Sequence, residues 1–235
     1  MRIAVLETGE PPASLAERFG PYPAMFQALL GGGGRLFETF DVRAGAFPNL
    51  GAIDALLITG SPAGVYDPLP WIAPLKAFLR EAKGQAAMVG ICFGHQILAQ
   101  TFGGQVEKVA RGWGVGLNRY QIVAHKPWME DAGPAFAIPA SHQDQVVRQP
   151  PASRLLAASA FTPIAALAYE DQPAISFQGH PEFEPAYAQA LIESRRGSRY
   201  DNAQADAAIA SLTAPDDRAL VGRWIVRFLE GVAGA

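Results

Sequence analysis

Four short apolar runs punctuate the first hundred residues: RIAVLE (2–7), LFETFDV (36–42), IDALLITG (53–60) and AAMVGI (86–91). The first reads as a buried strand and the others as the second, third and fourth strands. Stretches with helical spacing accompany them. One covers 14–30, interrupted by GPYP and ended by glycines 31–34. A second covers 70–82, with Trp71, Leu75, Phe78 and Leu79 on one side, and a third covers 94–102 and stops at GG. Strands separated by helices pair in parallel through right-handed crossovers. The pattern therefore predicts an α/β fold: a doubly wound, mostly parallel sheet with flanking helices.

After residue 104 the pattern changes. Segments 105–124, 145–148, 163–169 and 174–178 read as shorter strands joined by Gly- and Pro-containing turns, a small antiparallel extension or edge. From Glu184 the chain is Ala-rich and helical. Its last helix is expected to start at a capping box of Thr213 and Asp216 around Pro215 and to stop at Gly231. Its apolar face, Leu220, Val221, Trp224, Ile225, Phe228 and Leu229, is expected to dock on the domain rather than on another subunit. No linker-like stretch divides the 235 residues. One domain is predicted, with a core at about 1–190 and a helical C-terminal extension at about 190–235.

Charge and cysteine usage narrow the function. A formal net charge of −3 with 19 Lys and Arg spread along the chain leaves no electrostatic footprint for nucleic acid or an anionic membrane. No window reaches the ~18 consecutive apolar residues of a membrane span. MRIAVLETGE has no cleavage-site pattern, and a single cysteine makes no internal disulfide, so a reducing, cytoplasmic location is expected. The glycine run 31–34 lacks the G-x-G-x-x-G spacing and precedes a strand, so it is a turn. No metal and no cofactor are expected.

That single cysteine lies in VGICFGHQ (89–96), where Gly90-Ile91-Cys92-Phe93-Gly94 follows a predicted strand and precedes a predicted helix. The spacing is that of a nucleophile elbow, a strained turn whose flanking positions tolerate little beyond glycine. It would put the sulfur at a helix N-terminus, where the dipole favours negative charge. A thiolate nucleophile needs a proton carrier. His95 is three residues past Cys92, near enough to touch the sulfur but better placed to pack beside the next strand. His125 lies in the polar loop AHKPWMED and reads as solvated. His180, in FQGHPEFE, follows the apolar strand AISFQ and so falls at the carboxyl edge of a parallel sheet, beside the elbow. Glu182 could hold one ring nitrogen and leave the other to the sulfur.

GICFGHQ followed by GHPEF resembles the paired signatures of the class I (triad) glutamine amidotransferase family. ITGSP (58–62) is similar to that family's oxyanion loop. SHQDQV (141–146) is similar to the Ser-His-Gly-Asp-x-Val segment of the GMP-synthetase-like branch, with Gln143 where that branch often has glycine. The likeness runs from residue 1 to about 190. It implies a flavodoxin-like fold and a Cys92, His180, Glu182 triad that cleaves the side-chain amide of glutamine through a cysteinyl γ-glutamyl thioester. The Gly60 and Phe93 N–H groups would form the oxyanion hole. It also places Gln96 against substrate, although a helix residue capping its own turn would look the same, and it places Ser141, His142 and Asp144 near the substrate's α-amino and α-carboxylate groups.

Two enzymatic outcomes fit the sequence. No phosphate loop or ATP-pyrophosphatase segment is present, and a tail of about 45 residues is too short for a synthetase domain. The chain could be a glutaminase feeding ammonia to a separately encoded synthetase, or a stand-alone hydrolase of γ-glutamyl compounds. A regulatory module that lost the chemistry is disfavoured because Cys92, His180 and Glu182 are all present. A serine-type α/β hydrolase is excluded by the Cys…His-x-Glu order.

Overall fold

In the computed structural model, which describes residues 1–233, the four N-terminal runs become β1 (Arg2–Glu7), β2 (Leu36–Asp41), β3 (Ala55–Ile58) and β4 (Ala87–Ile91). Seven strands follow: β5 (Gln105–Lys108), β6 (Gly114–Ile122), β7 (Ala135–His142), β8 (Asp144–Arg148), β9 (Ser153–Ala158), β10 (Ala166–Tyr169) and β11 (Ala174–Phe177). Nine of them form one sheet in the order β2-β1-β3-β4-β11-β10-β9-β6-β7. The stretch from β2 to β11 is parallel and the remainder antiparallel, while β5 and β8 make a separate antiparallel pair.

Side-chain alternation assigns each strand's residues to one of two layers. Ile3, Val5, Leu57, Val89 and Ile91 pack on one face with Phe26 and Leu30 of α2 (Tyr22–Leu30) and Val221, Trp224 and Ile225 of α7 (Arg218–Ala233). Ala4, Leu6, Leu56, Ile58 and Met88 pack on the other, with Leu75 and Leu79 of α3 (Ile72–Glu81) and Ile97 and Leu98 of α4 (Phe93–Thr101). Burial on both faces explains why these strands read as continuous apolar runs. A third cluster joins Leu15 of α1 (Ala13–Phe19), Tyr187 and Leu191 of α5 (Pro185–Arg195) and Ala205 of α6 (Asn202–Ser211) around Phe183.

The antiparallel half contains two strands that the sequence does not mark, β7 and β9. β7 carries Pro139 in its interior, and proline argues against a central strand. Here β7 is the outermost strand of the sheet, where a missing N–H interrupts no second ladder.

The last helix docks as its apolar face predicts. Val221, Trp224, Ile225, Phe228 and Leu229 are buried, and the Trp224 indole N–H donates to the Glu130 carbonyl at 3.1 Å. Its ends differ from the expectation. Thr213 donates to the Ala210 carbonyl and closes α6, and the Asp216 carboxylate accepts from Arg218 N–H at 3.0 Å. The Asp217 carboxylate accepts from Ala137 N–H on β7, so no capping box forms and the helix begins two residues beyond Asp216. Gly231 does not stop it either. One glycine costs roughly 1 kcal/mol in a helix, too little to end one whose preceding turns are packed. Among the described residues no helix is long and apolar enough to cross a membrane.

Candidate active site

The carboxyl ends of β3, β4 and β11 meet at one point. Cys92 sits between β4 and α4 with φ 53° and ψ −101°, a positive φ that a non-glycine residue rarely adopts. Its N–H donates to the Phe177 carbonyl at the end of β11, 2.9 Å away, and the Gly94 N–H donates to the Thr59 carbonyl at 3.2 Å. The flanking glycines are required by close approach. A Cβ on Gly94 would lie 2.3 Å from the Ile58 carbonyl oxygen, and one on Gly90 would lie 2.5 Å from that of Gly94.

His180 lies three residues beyond the end of β11 and is held by several contacts. Its N–H donates to the Pro139 carbonyl at 2.7 Å, and its Nδ1 bonds Glu182 Oε1 at 2.7 Å. The imidazole lies flat on Phe183, with ring centroids 3.9 Å apart and planes inclined by 7°. Gly60 covers the ring: a Cβ there would fall 2.9 Å from His180 Cε1 and 3.8 Å from Cys92 Cβ. Gly60, Cys92 and His180, drawn from three separate stretches of the chain, therefore share one small recess bounded by Tyr22 and Arg195, with Glu182 behind the imidazole it bonds.

Cys92, His180 and Glu182 are 6%, 4% and 2% exposed. Burial acts to lower the His180 pKa. The charges of Glu182 and Cys92, and hydrogen bonds to both, outweigh it and push the pKa up to about 10. The imidazole is therefore cationic at neutral pH. A folded-state pKa above the ordinary value of about 6.5 contributes stability that is fully present below that value and is lost as pH rises through about 10. NMR titration is expected to find the imidazolium form of His180 still dominant at about pH 8; deprotonation near the ordinary histidine value would show that the ion pair does not exist.

Two backbone N–H groups beside Cys92 lack a backbone acceptor. Phe93 is the first residue of α4, so its N–H has no acceptor within the helix. Gly60 lies outside any helix or strand, and no backbone carbonyl among the described residues accepts its N–H. The buried Thr8 hydroxyl pins this loop through the Thr59 and Gly60 carbonyls, 3.0 and 3.1 Å away.

The other sequence candidates border a cleft of about 530 Å³ that opens from Cys92. Gln96 lines it, but its amide nitrogen donates to the Asp144 carbonyl at 2.8 Å and to Gln178 Oε1 at 3.2 Å, so it caps no turn of its own helix. Ser141 Oγ accepts from Arg195 at 2.7 Å. Asp144 Oδ2 accepts from the Tyr66 hydroxyl at 2.7 Å. His142 donates from Nδ1 to the Asp144 carbonyl at 3.2 Å, and burial lowers its pKa to about 3, so it is neutral. His95 is fully buried against Ser176 Oγ and the Ile164 carbonyl, and His125 is exposed.

Four side chains at the site carry no mark in the sequence reading. Gln178 Nε2 donates to Cys92 Sγ at 3.8 Å, and Phe183 stacks on His180. Arg195 and Arg199 come from ESRRGSR, whose density of arginine was the available signal. Gln178→Leu removes a donor to the sulfur and is expected to slow Cys92 alkylation by iodoacetamide at neutral pH about tenfold. An unchanged alkylation rate would leave Gln178 a packing residue.

Compared with known families, the sequence matches glutamine amidotransferase class-I over residues 39–195, more than half of the chain. The chain belongs to the glutamine amidotransferase class-I family. It is 28% identical to γ-glutamyl peptidase 3 of Arabidopsis thaliana over 91% of this chain and 90% of that protein. It is 33% identical to a glutamine-hydrolyzing GMP synthase subunit of Archaeoglobus fulgidus, over 55% of this chain and 67% of that one. In three dimensions it is similar to a glutamine amidotransferase from Thermotoga maritima, with a TM-score of 0.76 over 98% of both chains at 16% identity, which shows the shared fold. The flavodoxin-like amidotransferase fold is therefore the architecture that carries this elbow.

Proposed function

We propose that this class-I amidotransferase cleaves γ-glutamyl amides, glutamine being the smallest, with Cys92 as nucleophile, His180 as proton carrier and Glu182 as its orienting partner. The observation that carries this reading is the convergence of Cys92, His180 and the Gly60 backbone at one recess, with His180 bonded to a buried carboxylate. The thiolate adds to the γ-carbonyl carbon, and charge develops on its oxygen within reach of the Gly60 and Phe93 N–H groups. One such donor typically contributes about 3 kcal/mol to barrier lowering. The His180 imidazolium gives its proton to the departing nitrogen, leaving a γ-glutamyl thioester and a neutral imidazole. That imidazole then takes a proton from water, which attacks the thioester and releases glutamate.

His180→Ala is expected to lower kcat about 10⁴-fold, because both proton transfers are lost. Glu182→Gln is expected to lower it about 10²-fold, since a neutral amide still holds Nδ1 but no longer supports the cation. Steady-state rates of the two variants test this; equal losses would remove Glu182 from a supporting role.

Release of ammonia and glutamate from glutamine, measured beside turnover of a γ-glutamyl dipeptide, tests the function itself. Similarity to the Arabidopsis γ-glutamyl peptidase over nearly the whole of both chains supports a stand-alone hydrolase, active on the dipeptide without a partner. Similarity to the Archaeoglobus GMP synthase chain supports a second reading, in which feeble glutaminase activity rises when a separately encoded synthetase is added. A protein inert toward both compounds, alone and with its partner, would be a non-catalytic module.

A further inference from the structure

The space in front of Cys92 extends beyond the recess at the sulfur, and three cationic side chains line it. The recess at the sulfur is bordered by Arg195 but not by Lys108, Trp113 or Arg199. All four border the cleft of about 530 Å³ that continues outward from Cys92. Arg195 therefore stands where the two spaces meet, and the other three lie beyond it.

These cations are not neutralised by ion pairs within the fold. Among the described residues no carboxylate forms an ion pair with Lys108, Arg195 or Arg199, whereas the neighbouring Arg196 is bound by Glu193 and Asp206. Two carboxylates also line the cleft, Asp67 accepting from the Gly64 N–H at 2.7 Å and Asp144, across the β5–β8 pair from Lys108, accepting from the Tyr66 hydroxyl at 2.7 Å. Arg199 sits over the Trp113 ring, 5.1 Å from its centroid, and that stacking fixes the guanidinium plane. Partial burial and the charge of Arg195 four residues earlier both depress its pKa, as happens where a cation lacks a counter-ion. With Lys108, Arg195 and Arg199 set against Asp67 and Asp144, the cleft lining carries an excess of positive charge in a chain whose net charge is −3.

Resting on the thioester reading above, we propose that Lys108, Trp113 and Arg199 form a leaving-group subsite that binds a carboxylate carried beyond the scissile bond, making anionic γ-glutamyl peptides the preferred substrates. Arg195, at the recess, serves the glutamyl end that all γ-glutamyl compounds share. Glutamine has nothing to place on the outer cations, because its leaving group is ammonia. A γ-glutamyl amino acid places its free carboxylate there. Attack by Cys92 forms the C–S bond and breaks the γ-glutamyl C–N bond; the leaving nitrogen takes its proton from His180 and the amino acid departs with its carboxylate. Water then returns the thiol and glutamate.

The test compares γ-glutamyl-alanine with γ-glutamyl-alaninamide, which differ only in that carboxylate, using the purified 235-residue chain. The wild type is expected to show kcat/KM at least about tenfold higher for the acid, mostly through KM, with the preference shrinking as salt rises. Arg199→Gln and Lys108→Gln are expected to cut the acid-to-amide ratio, and Arg199→Lys to retain part of it. A wild-type ratio near one, or a ratio that survives the Arg199→Gln/Lys108→Gln double variant, overturns the subsite. If a variant fails to fold, the wild-type ratio and its salt dependence decide the matter. Glutamate release from glutamine with no cleavage of either dipeptide overturns the subsite alone. Absence of any acylated Cys92 with glutamine or either dipeptide overturns the thioester reading and the subsite together.

Discussion

Cys92→Ala is expected to abolish turnover, a fall of at least about 10⁴-fold in kcat, while the protein stays folded. The sulfur is one atom in a packed recess, and its loss leaves a small void worth about 1 kcal/mol. The backbone of the elbow is held by other bonds, from the Cys92 N–H to Phe177 and from the Gly94 N–H to Thr59. Alanine accepts the same strained φ as readily as cysteine does. The thiolate is one of the charges that raise the His180 pKa, so the variant should also titrate His180 at lower pH than the wild type. Cys92→Ser keeps the shape but supplies a hydroxyl that does not ionise, and it should be nearly as inactive. Assay, thermal melting and histidine NMR on the two variants check these outcomes together. A Cys92→Ala protein that unfolds would assign the residue to packing; one that still turns over substrate would remove it from the chemistry.

Gly94→Ala is expected to act in the opposite way, on the fold first. The added Cβ would sit 2.3 Å from the Ile58 carbonyl oxygen and 3.0 Å from the Ile58 carbonyl carbon. Both are main-chain atoms of β3, a central strand paired with β1 and β4, so neither can swing aside. Relief requires moving α4 away from the sheet, which opens the layer formed by Ile58, Ile97 and Leu98. Overpacking of this kind costs about 3 kcal/mol or more. Chemical denaturation should show that loss with an unchanged slope, and activity should fall because the elbow moves with the helix. A Gly94→Ala protein of wild-type stability would mean that the helix does not approach β3 this closely.

The parallel half of the sheet is legible because its signal is local. β1, β3 and β4 are short apolar runs, β2 is a half-polar edge strand marked by Leu36, Phe37 and Phe40, and the crossover rule orders the rest. The elbow is legible for the same reason, since Gly90, Cys92 and Gly94 lie within five residues. β7 is not, because its Pro139 is compatible with a strand only at a sheet edge, and edge position is a property of the finished topology. The start of α7 is obscured by three polar residues, Thr213, Asp216 and Asp217, any of which resembles a cap until Asp217 is seen bonding β7. The roles of Gln178 and Arg199 are hidden by distance along the chain. Gln178 meets Cys92 from 86 residues away because β11 pairs with β4, and Arg199 reaches the cleft only by stacking on Trp113, 86 residues earlier.

Acid quenching during turnover of glutamine, followed by proteolysis and mass spectrometry, probes the covalent step directly. A single γ-glutamyl group is predicted on the peptide that contains Cys92, released by hydroxylamine and missing from Cys92→Ala. Glutamate accumulating under the same conditions while Cys92 stays unmodified at every quench time, in a His180→Ala background as well as in the wild type, would contradict a cysteinyl thioester.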